Sequence, residues 1–390
     1  MIVTLKPAIL AIAAVLTTPV YASQAVLDTL GKDIDAAVAG SVEVPSVVVA
    51  IRAPTRRIDW SHASGVRAFN DTPAEATDEF RIASITKTYV AAAFLRLVED
   101  GKLKTDQPIL SLIDPELAKT LISGGYDPAK ITVRHLLTHR SGIRNYADAP
   151  SYAETIGGNP TKQWTAFEQI ALAVKQGKPI AAPGQRGDYS DTNYVVLGHI
   201  IERSTRKPLG EAVRFLVGFA KLGLNHTYWE KSEAGELADV PENRLHAYQD
   251  GADTAALNPS IDLYGGGGLV STTADLISFY KALFEGRVFR NRATLAAMLV
   301  VPVGPGSLEG EGYALGIDRV GITEPVVCWG HPGHWSATAA WCPTAKIGFA
   351  VSLNGAGADA EAREAKVLAA LSKAIVTLSD KTQHQGRPGE

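Results

Sequence analysis

Cysteine is scarce in this chain: two residues in 390, Cys328 and Cys342. Two thiols build neither a four-ligand zinc site of the usual structural kind nor a dense disulfide framework. A charge excess is missing too. The formal net charge is −3, and no Lys/Arg cluster dominates any segment, which excludes a nucleic-acid-binding surface. Beyond the N-terminus no apolar run is long enough to cross a bilayer. Repeats and low-complexity stretches are absent except for four glycines, Gly265 to Gly268. No Lys-Ser or Lys-Thr follows them, so they form no phosphate cradle; they mark a backbone that turns sharply or lies against something.

The N-terminal segment is different. Lys6 precedes an apolar run from Pro7 to Val20, and Val20-Tyr21-Ala22 ends it as a small-x-small cleavage pattern. This reads as a secretory signal peptide over residues 1–22, with a mature protein beginning near Ser23 in a periplasmic or secreted location. The remaining chain exceeds what one core usually accommodates. We expect a sheet-containing α/β lobe from 23–80 and 258–390, and a mostly helical lobe from 81–257.

Apolar spacing predicts a helix over Ala25 to Ala39, then strands Val47 to Arg52 and Arg57 to Ser64 around a turn at Pro54. Later signals give a helix, Ala274 to Phe284, and strands Gly312 to Arg319, Pro325 to Gly330, Ser336 to Trp341 and Ile347 to Asn354. A long Ala-rich helix, Ala358 to Leu378, precedes a polar tail expected to be disordered. Strands joined by short turns imply an antiparallel sheet covered by the first and last helices, an α+β fold. Cys328 and Cys342 fall in one predicted hairpin, where an oxidising compartment would let them pair; two unpaired core thiols are the alternative.

One stretch carries chemistry. In Phe80 to Lys104, Ser84 stands ahead of an Ala- and Leu-rich helical run and Lys87 follows three positions later, on the same face of the first turn. A hydroxyl becomes nucleophilic when a neighbour takes its proton, and the helix N-terminus favours developing negative charge. Ser-x-x-Lys also arises by chance, and Ser84 alone would read as a helix cap. Two further clusters change that reading. Tyr189-Ser190-Asp191-Thr192-Asn193 precedes a helical pattern, and His331-Pro332-Gly333-His334 ends a predicted strand.

Ser-x-x-Lys, Tyr-Ser-x and His-x-Gly in this order resemble the serine β-lactamase and penicillin-binding superfamily, in its class C-like DD-carboxypeptidase branch. Ile131 to Ile143, Tyr189 to Glu202 and Gly267 to Leu276 also look like family segments. The resemblance implies a β-lactamase/transpeptidase-like fold with the active site between sheet and helices, and no metal or organic cofactor. It makes Ser84 the acylated nucleophile, Lys87 its activating neighbour and Tyr189 the proton relay. His331 takes a place that a lysine or histidine holds on the edge strand, and the Ser84 and His334 amides form the oxyanion hole. Asp191, Gly333 and Arg319 are the substrate-binding candidates.

Two departures stand out. The family usually has Asn where this chain has Asp191, and an ionised Asp only accepts hydrogen bonds. Asn193 is expected to point elsewhere. Pro332 replaces the more usual Thr or Ser, removing a hydroxyl that helps peptidases bind a terminal carboxylate. Competing patterns are weaker. Gly333-His334-Trp335-Ser336-Ala337 lacks the second glycine of a nucleophile elbow, and His135 and His139 have metal-ligand spacing without the metalloprotease Glu.

The expected function is an exported serine hydrolase acting on D-amino-acid peptides such as cell-wall stem peptides, with β-lactams or esters as rival substrates. A non-catalytic penicillin-binding or sensor protein is the alternative from another class. Oligomeric state is not legible in the sequence.

Overall fold

The computed structural model describes residues 18–69, 72–230, 242–303, 312–321 and 325–380. Most of the expected signal peptide and all of the polar tail beyond Asp380 lie outside this range. Helix α1 (Thr18–Val38) leads into the hairpin β1 (Ser46–Ala53) and β2 (Ile58–Gly65). After β3 (Phe80–Arg81), a 3-10 turn over Ala83–Ile85 runs into α2 (Thr86–Glu99). Helices α3 (Pro115–Ser123), α4 (Val133–Leu137), α5 (Pro150–Gly158), α6 (Ala166–Lys175), α7 (Asp191–Thr205), α8 (Leu209–Val217) and α9 (Phe219–Leu222) follow.

Short strands β4 (Tyr228–Trp229), β5 (Tyr248–Gln249), β6 (Ala252–Asp253) and β7 (Leu269–Ser271) precede α10 (Thr273–Phe284) and α11 (Arg292–Met298). The chain then forms β8 (Asp318–Val320), β9 (Cys328–Gly333), β10 (Ala337–Cys342), β11 (Ile347–Ser352), β12 (Gly355–Ala356) and α12 (Ala358–Ser379).

The main sheet has six strands in the order β2-β1-β11-β10-β9-β8, with every pairing antiparallel. Its central strands are buried on both faces, which their period-2 alternation explains. Val47, Val49 and Ile51 of β1, with Ile347, Phe349 and Val351 of β11, meet Leu30 and Ile34 of α1 and Leu371 and Ile375 of α12. Val48 and Ala50 face the other way, into a second cluster with Ile277 and Tyr280 of α10. Burying each large aliphatic side chain stabilises the fold by about 1.5–3 kcal/mol. Helix α2 is buried from Thr86 to Leu97, and its run Ala91, Ala92, Ala93 lets neighbouring elements approach closely.

The hairpin β9–β10 carries the disulfide Cys328–Cys342, as one of the two readings anticipated. Four of the expected strands agree to within two residues, and two differ by three or more. Only the end of Gly312 to Arg319 is extended, because Gly316, at φ +72°, turns the chain and packs where an ideal Cβ would meet Ala91 at 2.4 Å. Strand β9 begins and ends three residues later than the expected Pro325 to Gly330, which brings His331 inside it. The segment expected to be helical also contains the two-residue strands β4, which pairs with β7, and β5, which pairs with β12 and β6; all three are too short to show a periodicity.

Candidate active site

The sequence reads Ile82-Ala83-Ser84 where β3 gives way to α2. Ala83 is held at φ +43°, a left-handed conformation that costs an L-residue roughly 1–2 kcal/mol, immediately before the serine. The i, i+3 spacing then does what the sequence anticipates: Lys87 Nζ lies 2.8 Å from Ser84 Oγ. Lys87 also reaches the Gly266 carbonyl at 2.6 Å and Asp191 Oδ1 at 2.6 Å. Three partners match the three donors of an ammonium group. Burial disfavours the Lys87 charge, but Asp191 foremost, then Tyr189 and Asp262, outweigh it and hold the ammonium well above its ordinary range.

Asp191 opens α7 and does not cap it. Its carboxylate turns to Lys87, while its amide donates to Asn145 Oδ1 at 3.1 Å. Asn193 does point elsewhere: its side chain meets Ser141 and His139. Tyr189 stands in extended chain just before α7, its ring stacked on that of His139 at 4.2 Å and 5.0 Å from Lys87 Nζ. Burial pushes its phenol up to about 12, against the pull of the Lys87 charge.

His331 is also placed here, on the part of β9 beyond the last residue that pairs with β8. Its Nδ1 lies 2.6 Å from the Pro332 carbonyl, which can only accept, so Nδ1 carries the proton and Nε2 accepts from Tyr313 Oη at 3.1 Å. His139 has the opposite tautomer. Its Nδ1 accepts from the Ser190 amide at 3.2 Å, leaving Nε2–H to donate to the same Tyr313 oxygen at 3.1 Å. One tyrosine thus fixes two neutral histidines. Burial, with the Lys87 charge, lowers His331 to about 3 and drives His139 well below its ordinary value.

These groups border a cleft of about 870 Å³ lined by Ser84, Tyr189, Asp191, His331, Gly333 and His334, with Tyr146, Tyr152, Ile156, Leu257 and Trp335 as its apolar walls. Arg81 is tied to Glu230 through Nε at 3.0 Å and Nη2 at 3.2 Å, and Arg244 pairs with the same carboxylate at 3.0 Å. Burial opposes ionisation of Glu230, yet the two guanidiniums hold its carboxyl below the ordinary range. Arg319 is exposed on β8 and is not among the residues lining the cleft. The other motifs have local roles. His135 caps α4 through Thr132, and Ser336 donates to the Gly355 carbonyl in the β9–β10 turn.

Sequence reasoning missed Tyr313, whose neighbourhood read as ordinary strand, and Asp262. The glycine run was the available signal for Asp262. An ideal Cβ on Gly267 would fall 1.6 Å from Asp262 Oδ2, so the glycines are what the carboxylate lies against.

The beta-lactamase family model matches residues 34–373. The chain belongs to this family. It shares the beta-lactamase/transpeptidase fold, and its members are serine hydrolases. A D-stereospecific amidohydrolase from Streptomyces superimposes with a TM-score of 0.71 at 29% identity, covering 84% of this chain and 94% of that one. The D-amino acid amidase from Ochrobactrum anthropi gives a TM-score of 0.73 at 25% identity, covering 90% and 99%. Among curated proteins, the esterase EstB of Burkholderia gladioli is 34% identical over 178 residues, 44% of this chain and 42% of that one. The chain spans about half the length or less of the first curated relatives it matches. Among the described residues, no helix is long and apolar enough to cross a membrane.

Proposed function

We propose that this chain is an exported amidohydrolase that forms an acyl-enzyme on Ser84 and releases neutral amine leaving groups, with D-amino-acid amides or peptides as substrates. The observation that carries the reading is the set of cations on the cleft. Arg81 is committed to Glu230, and His331 and His334 are both held below their ordinary pKa by burial. A terminal carboxylate, the mark of a D-alanyl-D-alanine carboxypeptidase substrate, finds no uncommitted positive side chain among the described lining residues. Pro332 adds no hydroxyl, and Arg319 is outside the cleft. The two D-amino-acid-acting structural neighbours support the amide reading; the esterase relative favours esters as a second substrate class through the same acylation step.

In acylation, Ser84 Oγ bonds to the carbonyl carbon, the carbonyl π electrons move to oxygen, and the hydroxyl proton passes to the minor phenolate form of Tyr189, which burial disfavours and the Lys87 charge favours. Lys87 cannot be that base while Asp191 keeps it an ammonium; it stabilises the phenolate instead. The Ser84 and His334 amides are the candidate oxyanion donors. As the C–N bond breaks, Tyr189 returns the proton to the departing nitrogen, and water repeats the sequence to free the acid.

The test is a kcat/KM comparison of D-phenylalaninamide, a D-Ala-D-Ala-terminated peptide, the same peptide as its C-terminal amide, and a p-nitrophenyl ester. The free-acid peptide should be the poorer of the two peptides. Faster cleavage of the free acid would overturn the reading. Export is tested by N-terminal sequencing of protein recovered outside the cytoplasm, which should begin near Ser23.

A further inference from the structure

Among the polar side chains on the cleft, Asp262 stands apart. Asp191 is paired with Lys87, Glu230 with two arginines, and Asp253 with His246. Among the described residues nothing donates a hydrogen bond to the Asp262 carboxylate or forms an ion pair with it. Yet it lines the same cleft as the nucleophile and is desolvated there. Its position is built: it lies over the Gly266–Gly267 backbone, where any side chain would displace it.

The carboxylate is also close to the reacting centre. An ideal Cβ on Gly266 would sit 3.2 Å from Asp262 Oδ1 and 3.3 Å from Asp191 Oδ1, so the two acids flank one backbone atom. From Asp191 the path to the nucleophile is a single ammonium, 2.6 Å on one side and 2.8 Å on the other. Lys87, Asp191, Arg81 and Glu230 are the charges facing Asp262, with the phenols of Tyr146 and Tyr152 beside it. Lys87 and Arg81 have their donors engaged elsewhere. Asp262 is half-buried at the edge of the cleft, and a ligand that brings a charged N–H to this partly desolvated acceptor gains both the ion pair and the hydrogen bond.

We infer that Asp262 binds the free α-ammonium group of the acyl part of the substrate, making the enzyme selective for unblocked amino-acid amides or N-terminal residues over N-acylated ones. The inference rests on the amidohydrolase reading and sharpens it. Tyr146, Tyr152 and Ile156 then face the amino-acid side chain, an apolar wall suited to an aromatic or aliphatic group.

Binding tests this without turnover. Calorimetry on Ser84→Ala at neutral pH compares D-phenylalaninamide with its N-acetyl derivative and with 3-phenylpropanamide, which lacks the amine. The free amine should bind about tenfold tighter than either. In Ser84→Ala/Asp262→Asn that advantage should fall to about twofold or less, and Asp262→Glu in the same background should restore part of it. Equal affinities in the first protein would overturn the inference. So would an advantage that survives removal of the Asp262 charge. If the double variant does not fold, the three-ligand comparison on Ser84→Ala decides alone. Failure of the amidohydrolase reading would show separately, as wild-type enzyme that turns over esters but not amides.

Discussion

Lys87 Nζ lies 2.6 Å from Asp191 Oδ1, with the lysine fully buried and the aspartate keeping 18% of its side-chain surface open to the cleft. Asp191 therefore stands where the family pattern has an amide, and it makes Lys87 a permanent cation in the neutral range. Because the folded pKa is raised, this pair contributes fully below the ordinary lysine value and is lost only as pH rises through the higher folded one. Asp191→Asn should lower the Lys87 pKa and move the alkaline limb of kcat/KM to lower pH. Leaving the ammonium unpaired should cost about 3 kcal/mol, the low end for a buried pair because Asp191 borders the cleft. A denaturation midpoint and pH profile identical to wild type would remove Asp191 from the site.

Ser84→Ala should abolish labelling by a fluorophosphonate and all turnover, while shifting the thermal midpoint little. The change removes one hydroxyl at a cleft surface and disturbs little packing. A covalent adduct that persists in this variant would identify another nucleophile.

Tyr313 hydrogen-bonds both His331 and His139, so we expect it to act through them as a positioning residue. Tyr313→Phe leaves His331 Nε2 without a donor and His139 Nε2–H without an acceptor, costing about 1–3 kcal/mol for each group left buried and unpaired. We expect kcat to fall roughly tenfold with a smaller change in KM. Nitrogen NMR should show His331 protonated on Nδ1 in the wild type and a tautomer mixture in the variant. Loss of stability with kcat and the His331 signals untouched would leave Tyr313 a purely structural residue.

Burial lowers His331 to about 3, outside the range of about pH 5 to 8 where histidine ordinarily titrates, and burial drives His139 well below its ordinary value. Asp262 falls within that range: burial raises it to about 7, with Lys87 pulling down and Asp191 pushing up. With a p-nitrophenyl ester that carries no amine, an ionisation near neutrality in kcat/KM should disappear in Asp262→Asn. The stability sign follows. Asp262 is protonated in the folded protein where the unfolded chain would ionise it, so stability falls as pH rises from the ordinary carboxylate range through about 7. The thermal midpoint of wild type relative to Asp262→Asn should decline across that window; a flat difference would refute the assignment.

The disulfide closes a short hairpin. In a chain-entropy account a loop of about 15 residues is worth roughly 3 kcal/mol, so reduction should lower the thermal midpoint by several degrees. Non-reducing peptide mapping should recover the Cys328 and Cys342 peptides linked.

What the sequence determined by itself was local or periodic. The Ser84 to Lys87 contact follows from helical spacing, the sheet from alternating β-branched runs, the terminal helices from their apolar faces, and the disulfide was one of two readings of a single hairpin. Tertiary structure decided what depends on closing long loops and on burial. Asp191 meets Lys87 and Tyr313 meets His139 across more than a hundred residues of chain, and no spacing rule encodes such meetings. The neutrality of His331 and the exposure of Arg319 likewise depend on how much water each position keeps after folding. A histidine written in the motif reads as a cation as easily as a neutral ring, and only desolvation beside Lys87 settles which.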